Sequence, residues 1–245
     1  MSSELSIKTD LRSMFGPARD QGARPTCLAF AASDTHASLR PDWLPLSCEY
    51  LFYGAQKRAG RPPSSGATLP AMLEALRLDG QPAETDWPYQ TKNPASLEDC
   101  KPPASLDPCF RRDGAMQVLD MTAVRAALEN SVPILILMTL SQSFFSPGDG
   151  GFVAAPPGEL PDPAMRHAVI AVGHGQVDAQ TVFLVRNSWG STWGDDGHAW
   201  LSEEYLTHRL FAAARLLEEP DVPTNSTTVR TASSQALAQS ACGGI

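Results

Sequence analysis

Apolar and polar positions alternate with helical spacing in the first half of the chain. The stretch CLAFAASDTHASL, beginning at Cys27, predicts a helix with one apolar face. A second helix is predicted from the N-cap Ser47, and a third from the N-cap Thr68 to a stop at Gly80. The stretch DMTAVRAALENS predicts a fourth helix, with Thr122 as its cap.

The second half carries short apolar runs with the composition of strands. VPILILMTL predicts a buried strand, and HAVIAVGHG, TVFLVRNSWG and HAWLSEEYL predict three more, after a long loop over SPGDGGFVAAPPGELPDP. Helices followed by strands are typical of α+β chains with two segregated lobes. We therefore expect one domain over 1–217, with a helical lobe over about 18–120. An antiparallel β lobe is expected over about 121–217, to which the N-terminal residues can cross over. Residues 218–245 are expected to form a flexible tail, because Ser, Thr and Ala dominate them.

Composition and charge exclude several kinds of partner. The chain has 245 residues, 42% of them hydrophobic, which is enough to bury a sizeable core. Its formal net charge of −8 gives a surface that repels nucleic acid and anionic membranes. No apolar run reaches the roughly 18–20 residues that cross a bilayer. We expect neither a nucleic acid nor a membrane partner.

The five cysteines carry no metal-binding pattern, since no CxxC pair and no Cys/His cluster with zinc spacing occurs. Their odd number leaves at least one thiol free. Cys100 and Cys109 are close enough in sequence to pair, whereas a reducing compartment would leave both as thiols. The segment MSSELSIKTDLRSMFG lacks the apolar region of a signal peptide. We expect a cytoplasmic protein, or one exported by a route that uses no N-terminal signal peptide.

Cys27 is the candidate nucleophile of the first half. A thiol attacks well only when ionised, and the positive end of a helix together with a nearby imidazole would ionise it. Gln21, six residues earlier, can return its side-chain amide towards the thiol. With the backbone N–H of Cys27, that amide would form a two-donor hole for an oxyanion. The alternatives are a core thiol at Cys27 and an ordinary loop residue at Gln21.

His167 and Asn187 are the candidate partners of that thiol. His167 opens one apolar run and Asn187 closes the next, so an antiparallel hairpin would place the two side chains side by side. An amide bonded to one imidazole nitrogen fixes the tautomer and leaves the other nitrogen free. The alternatives are a satisfied core histidine and a turn-forming asparagine. His174 and His198 are expected to be structural, and His36 and His208 to lie on the surface.

In this order, the segments DQG, CLAF, WPY, VPILILM, HAVIAVGHG and RNSWGSTWGDDGHAWL resemble the papain family of cysteine peptidases, over about residues 10–217. The resemblance implies a two-lobe fold with the active site in the cleft between the lobes. It implies a cysteine endopeptidase, with peptide or protein substrates and no metal or organic cofactor. Cys27 would be the nucleophile, His167 the general base and then acid, Asn187 its orienting residue and Gln21 the oxyanion donor.

The same resemblance places five residues at or near the substrate. Gly66 would contact the backbone of an extended peptide. Thr68, Ile134 and Met165 would lie near the side-chain pocket, and Trp189 would shield the bond between histidine and asparagine from water.

The chain departs from the family pattern around these residues. Leu28 replaces the usual tryptophan after the nucleophile, and Arg24 replaces a cysteine of the family's first disulfide. The stretch SSGAT carries one glycine where the family has two. Arg166 precedes the histidine, where a cation is expected to lower the imidazole pKa.

Restraint of such a peptidase is a further expectation. The match begins near residue 10, so no long propeptide is expected, and the chain looks more like a bacterial intracellular or effector-type enzyme than a lysosomal one. A regulatory or inhibitory protein, or loops at 91–115 and 142–165 that partly close the cleft, would limit activity instead. Two other functions stay open: a transpeptidase or isopeptidase acting on protein modifiers, and an inactive papain-fold binding module.

Overall fold

The protein is an α+β fold in which helices pack against one antiparallel sheet. A computed structural model describes residues 4–104, 106–107 and 109–218. The helices are α1 Cys27–Ser38, α2 Cys48–Ala59, α3 Leu69–Leu78, α4 Met121–Glu129 and α5 Glu203–Thr207. The strands are β1 Leu5–Asp10, β2 Gly114–Gln117, β3 Ile134–Leu140, β4 Asp162–Val177, β5 Gln180–Arg186, β6 His198–Ser202 and β7 Leu210–Leu216.

The strands form one sheet in the order β2-β7-β3-β4-β5-β6, and β1 pairs with β4. β4 is 16 residues long, and it pairs with β3 through its first part and with β1 from Gly173 onwards. The pairing of β1 confirms that the N-terminal residues cross over to the β lobe. The antiparallel hairpin predicted between the histidine and asparagine segments is β4–β5.

The boundary between the lobes lies earlier than the predicted residue 120. β2 pairs with β7, Gly114 opposite Leu216, so Gly114–Gln117 belongs to the sheet. A four-residue strand that begins with glycine is too short to show an alternating pattern. β7 was not predicted either, because its sequence LFAAARL is rich in alanine, which is depleted in strands.

α1 is buried on all sides, so the predicted single apolar face is wrong. Every residue from Leu28 to Ser38 is buried, since α1 contacts the helices α2 and α3 and the strands β3 and β4. Its hydroxyl groups are satisfied inside the helix layer, as where Ser33 Oγ donates to the Leu46 carbonyl at 2.8 Å. His36, expected on the surface, is therefore fully buried, whereas His208 is exposed as expected.

The ends of several elements confirm or correct the predicted caps. Ser47 caps α2 by accepting a hydrogen bond from a backbone N–H, and Gly80 follows α3 with a φ of +70°. Thr68 occupies the N-cap position of α3 without a side-chain cap bond. α4 is capped by Asp120, which accepts from the N–H of Thr122, so Thr122 is not the cap.

Two segments of the second half differ from their predicted class. β4 begins at Asp162, inside the stretch predicted as a long loop. The stretch HAWLSEEYL is a strand only as far as Ser202, whose side chain then caps α5. The predicted tail lies outside the described residues, apart from residue 218. In the ranges that are described, no helix is long and apolar enough to cross a membrane.

Candidate active site

A cleft of about 580 Å³ runs between the helices and the sheet. Its lining includes Cys27 at the first position of α1, Gln21 from the preceding loop and His167 from β4. The N–H groups of the first turn of a helix have no partners within the helix, so the positive end of α1 lies at Cys27. The cleft therefore brings together three of the four residues predicted for catalysis.

The loop before α1 is attached to the segment after β5. The Gln21 N–H donates to the carbonyl of Ser188 at 2.9 Å, and Asp20 forms an isolated β-bridge with Trp189. Gly22 turns the chain with a φ of +59°, a conformation that favours glycine. These contacts hold the nucleophile loop against the sheet.

His167 and Asn187 lie side by side at the end of the β4–β5 hairpin. His167 Nε2 lies 2.7 Å from Asn187 Oδ1, and both side chains are buried. The Ser188 N–H also donates to Asn187 Oδ1 at 2.8 Å, which sets the orientation of the amide. Since an amide oxygen only accepts, Nε2 carries the proton and Nδ1 of the neutral imidazole is free to accept one. The predicted arrangement of this pair is confirmed.

An aromatic cluster covers this hydrogen bond. The ring of Trp189 lies 4.8 Å from the ring of His167 and 5.5 Å from that of Phe144. Phe145 stacks on Trp189 at 5.3 Å, and Trp193 Nε1 donates to the Phe144 carbonyl at 3.1 Å. The ring of Trp189 thus lies where it would shield the bond from water. The two phenylalanines were not predicted as part of the site. The aromatic stretch SFF at residues 143–145 is the sequence feature that could have identified them.

Burial opposes ionisation of both reacting groups. It lowers the pKa of His167 to about 4, and the hydrogen bond to Asn187 opposes this. It raises the pKa of the Cys27 thiol, and backbone hydrogen bonds from Ala168 and Leu28 oppose this. Each group taken alone is therefore neutral at pH 7.

Arg166 is not the cause of the low imidazole pKa. Burial is the largest contribution, and no contribution from Arg166 accompanies it. The guanidinium carbon of Arg166 lies over the ring of Phe211 at 5.4 Å, and its Nε donates to the carbonyl of Pro163 at 3.4 Å. The expected direction is confirmed, but the expected cause is wrong.

Two hydrogen bonds hold the side chain of Gln21, and they use only one of its two N–H groups. Its Oε1 accepts from Ser188 Oγ at 2.7 Å, and its Nε2 donates to the carbonyl of Arg24 at 2.7 Å. A primary amide has two N–H donors, so the second is available at the cleft. This is the geometry that a fixed oxyanion donor needs.

Two of the five residues predicted at or near the substrate line the cleft. Gly66 and Thr68 do so, whereas Trp189 lies behind His167. Met165 is absent from the described lining and is 37% exposed, because residues 163–165 bulge out of the ladder between β3 and β4. Its neighbours Ala164 and Arg166 do line the cleft, and a role for Met165 near the side-chain pocket stays a prediction.

Ile134 is replaced in the cleft by another residue of the same strand. Ile134 is fully buried, and Leu137, three positions along β3, lines the cleft. Successive side chains of a strand point to opposite faces, so residues three apart face opposite ways. The sequence does not reveal which face of β3 meets the helices.

The remaining predictions about metals, disulfides and histidines have separate outcomes. Among the described residues, no cluster of three His, Cys, Asp or Glu side chains could hold a metal ion, and Cys100 and Cys109 are free thiols. His174 and His198 are buried and hydrogen-bonded to Thr9 Oγ1 and to a backbone carbonyl, as structural histidines are.

Comparison with known proteins places this geometry in a family. Residues 5–209 match the family described as papain family cysteine protease. The chain is 26% identical to Peptidase 1 of Dermatophagoides farinae over 208 residues, which are 81% of this chain and 61% of that protein. It is 25% identical to pro-cathepsin H of Bos taurus over 187 residues, 74% of this chain and 54% of that one. The chain thus spans between half and two thirds of these relatives.

A solved structure shares the fold. Xylellain, a cysteine protease from Xylella fastidiosa, aligns with a TM-score of 0.73 and 22% identity, covering 87% of this chain and 86% of that one. At this identity the likeness concerns the fold, and the family match rests on the sequence. The two-lobe architecture expected from the sequence is confirmed, and the chain belongs to the papain family of cysteine proteases.

Proposed function

We propose that the chain is a cysteine endopeptidase that hydrolyses peptide bonds through an acyl-enzyme on Cys27. The observation that carries the proposal is the 2.7 Å hydrogen bond between His167 and Asn187, on the cleft that Cys27 and Gln21 also line. A buried histidine held in one tautomer beside a cysteine at a helix N-terminus suits nucleophilic catalysis.

The residues divide the reaction between them. The Cys27 thiol passes its proton to Nδ1 of His167, and the sulfur attacks the carbonyl carbon of the substrate. The free N–H of Gln21 and the backbone N–H of Cys27 stabilise the oxyanion. His167 then returns its proton to the leaving amine, which leaves an acyl-enzyme. Water, deprotonated by His167, releases the acid and restores the thiol.

Restraint by the two predicted loops is supported only in part. Residues 142–165 contribute Ala164 to the cleft, and the described part of 91–115 contributes nothing to its lining. An inhibitory or regulatory protein is therefore the restraint that we favour. The four free thiols of the described residues support a reducing, cytoplasmic location, and the likeness to xylellain supports a bacterial enzyme.

Peptide hydrolysis tests the proposal. A fluorogenic peptide library is incubated with the wild type, with Cys27→Ala and with the matched control Cys109→Ala, and the products are identified by mass spectrometry with a free amine added. We expect acid products from the wild type and the control. We expect a loss of about a thousandfold or more in Cys27→Ala.

Other outcomes would identify the alternatives. Products joined to the added amine would indicate a transpeptidase. An absence of turnover by the wild type, with peptide binding retained by Cys27→Ala, would indicate a binding module.

A further inference from the structure

The cleft around Cys27 has a charge opposite to that of the chain. The chain carries a formal charge of −8, but the described residues lining the cleft include no aspartate and no glutamate. They do include Arg61 and Arg166. A substrate that enters the cleft therefore meets cationic groups on an otherwise acidic protein.

The two arginines stand on opposite walls. Arg61 follows α2 in the helical lobe, directly after Gly60, whose φ of +61° ends the helix. Arg166 belongs to β4 and directly precedes His167. Both side chains are exposed at the cleft. An extended peptide lying along the cleft would pass between them.

These guanidinium groups are not neutralised by carboxylates of the described residues. No such carboxylate lies within 4.0 Å of Arg61 or Arg166. By contrast, Arg19, Arg24 and Arg58 are each paired with an acidic side chain. A guanidinium stays charged at any physiological pH and binds carboxylates in a fixed geometry. These two groups, which pair with no carboxylate of the described residues, therefore suit acidic side chains of a ligand.

Apolar residues from both walls also line the cleft. They are Leu69, Met116, Leu137, Ala168, Phe211 and Ala212. Phe211 is 40% exposed and Met116 is 58% exposed, so both present apolar surface to a ligand. This surface suits one apolar side chain of a bound peptide.

We infer that the cleft selects peptides in which an apolar residue is flanked by aspartate or glutamate. The inference rests on the proposed peptidase function and names its substrate class. Arg61 and Arg166 are the specificity-determining residues, and neither takes part in the bond-breaking steps.

Matched fluorogenic peptides test the inference. One series keeps an apolar residue and varies its neighbours on both sides among glutamate, glutamine and lysine, and kcat/KM is measured for each. We expect the wild type to prefer glutamate over glutamine by about tenfold, since a charge-assisted pair is roughly twice as strong as a neutral one. The double variant Arg61→Gln/Arg166→Gln should lower this ratio to about one, and each single variant should lower it in part. Lys8→Gln, the same charge change on β1 outside the cleft lining, should keep the tenfold ratio.

The outcomes separate this inference from the proposed function. Equal or better cleavage of glutamine or lysine peptides by the wild type would overturn the inference and leave the peptidase intact. A glutamate preference that survives in the double variant would also overturn it. Binding of the same peptides to Cys27→Ala, followed by fluorescence anisotropy, decides the inference without turnover. If no peptide is cleaved, the proposed function fails, and tighter binding of glutamate than of glutamine peptides would still uphold the charge selectivity.

Discussion

The two walls of the cleft are held in place by different forces. On the helical wall, the guanidinium of Arg24 pairs with Glu49, and the two side chains are 1% and 0% exposed. Arg24 also donates to the Gln90 carbonyl and to Asn93 Oδ1, so it ties a distant loop to the nucleophile segment. On the sheet wall, His167 rests against the rings of Phe144 and Trp189.

The difference shows what each wall has to position. Gln21, the proposed oxyanion donor, donates through Nε2 to the carbonyl of Arg24, so the buried ion pair fixes the residue that orients the amide. Buried ion pairs fix geometry but carry a large desolvation cost. The imidazole instead needs a dry surface around one hydrogen bond, and aromatic rings supply that surface.

An ion-pair network also joins the two walls. Asp34 of α1 accepts from Arg19 Nε at 2.7 Å and from Nη2 of Arg186, the last residue of β5, at 3.0 Å. Arg186 further donates to the carbonyls of Gly16 and Pro17. The strand that leads to Asn187 is thereby attached to the helix that begins at Cys27.

Removal of the imidazole should have the largest effect. In His167→Gln, no group remains to take the thiol proton or to protonate the leaving amine. We expect kcat/KM to fall by about 10³- to 10⁴-fold. Thermal unfolding serves as the control and should show a folded protein. Activity within tenfold of the wild type would remove His167 from the mechanism.

Breaking the buried ion pair should destabilise the helical wall. Arg24→Met leaves Glu49 buried without its cation, and we expect the free energy of unfolding to fall by about 3–5 kcal/mol. Arg24→Met/Glu49→Gln should recover part of the loss. Urea titration measures both.

A partly exposed pair supplies the control for that experiment. Arg58→Met removes the partner of Asp79 on the surface. It should cost about 1 kcal/mol or less. Equal losses in Arg24→Met and Arg58→Met would show that the Arg24 pair has no special role.

The helical wall should also lose stability in acid. Burial lowers the pKa of His36 to about 3, against 6.5 for the free side chain. The unfolded chain therefore takes up a proton first, and the stability that neutral His36 contributes above pH 6.5 is lost as the pH falls from 6.5 towards 3. Between pH 7 and pH 5 this amounts to about 2 kcal/mol.

Urea titrations at the two pH values measure this loss. His36→Gln should show a smaller decrease in unfolding free energy between them than the wild type. His208→Gln, which changes an exposed histidine, should behave like the wild type. Parallel decreases in all three proteins would contradict the role of His36.

Removing rings from the aromatic cluster around the bond between His167 and Asn187 should have the smallest effect on activity. Trp189→Ala exposes the bond between His167 and Asn187 to water, and we expect kcat to fall by about tenfold, since hydrogen bonds weaken in a wet environment. Phe145→Ala removes the outer ring of the stack and should cost less. A larger loss in Phe145→Ala than in Trp189→Ala would contradict the shielding role.

The segment of the sheet wall around Asn187 was predictable from the sequence, and the buried ion pair of the helical wall was not. The segment around Asn187 and Trp189 carries its glycines and tryptophans at short, fixed spacing, so the local sequence was enough to identify it. Arg24 and Glu49 are 25 positions apart with no pattern to join them, and their pairing depends on how α2 packs. The exchange of Ile134 for Leu137 has the same cause, since the face of a strand that meets the helices depends on the tertiary fold.

The central claim is that Cys27 is an activated thiol because His167 faces it. Wild type, Cys27→Ala and His167→Ala are treated with a peptidyl epoxysuccinate at neutral pH, and the adducts are mapped by mass spectrometry. Burial raises the pKa of the thiols of Cys48, Cys100 and Cys109 as it does that of Cys27, but these three do not line the cleft, so they serve as internal controls. The account predicts one adduct, on Cys27, that disappears in both variants. No adduct on the wild type, equal labelling of the other cysteines, or full labelling of Cys27 in His167→Ala would contradict it.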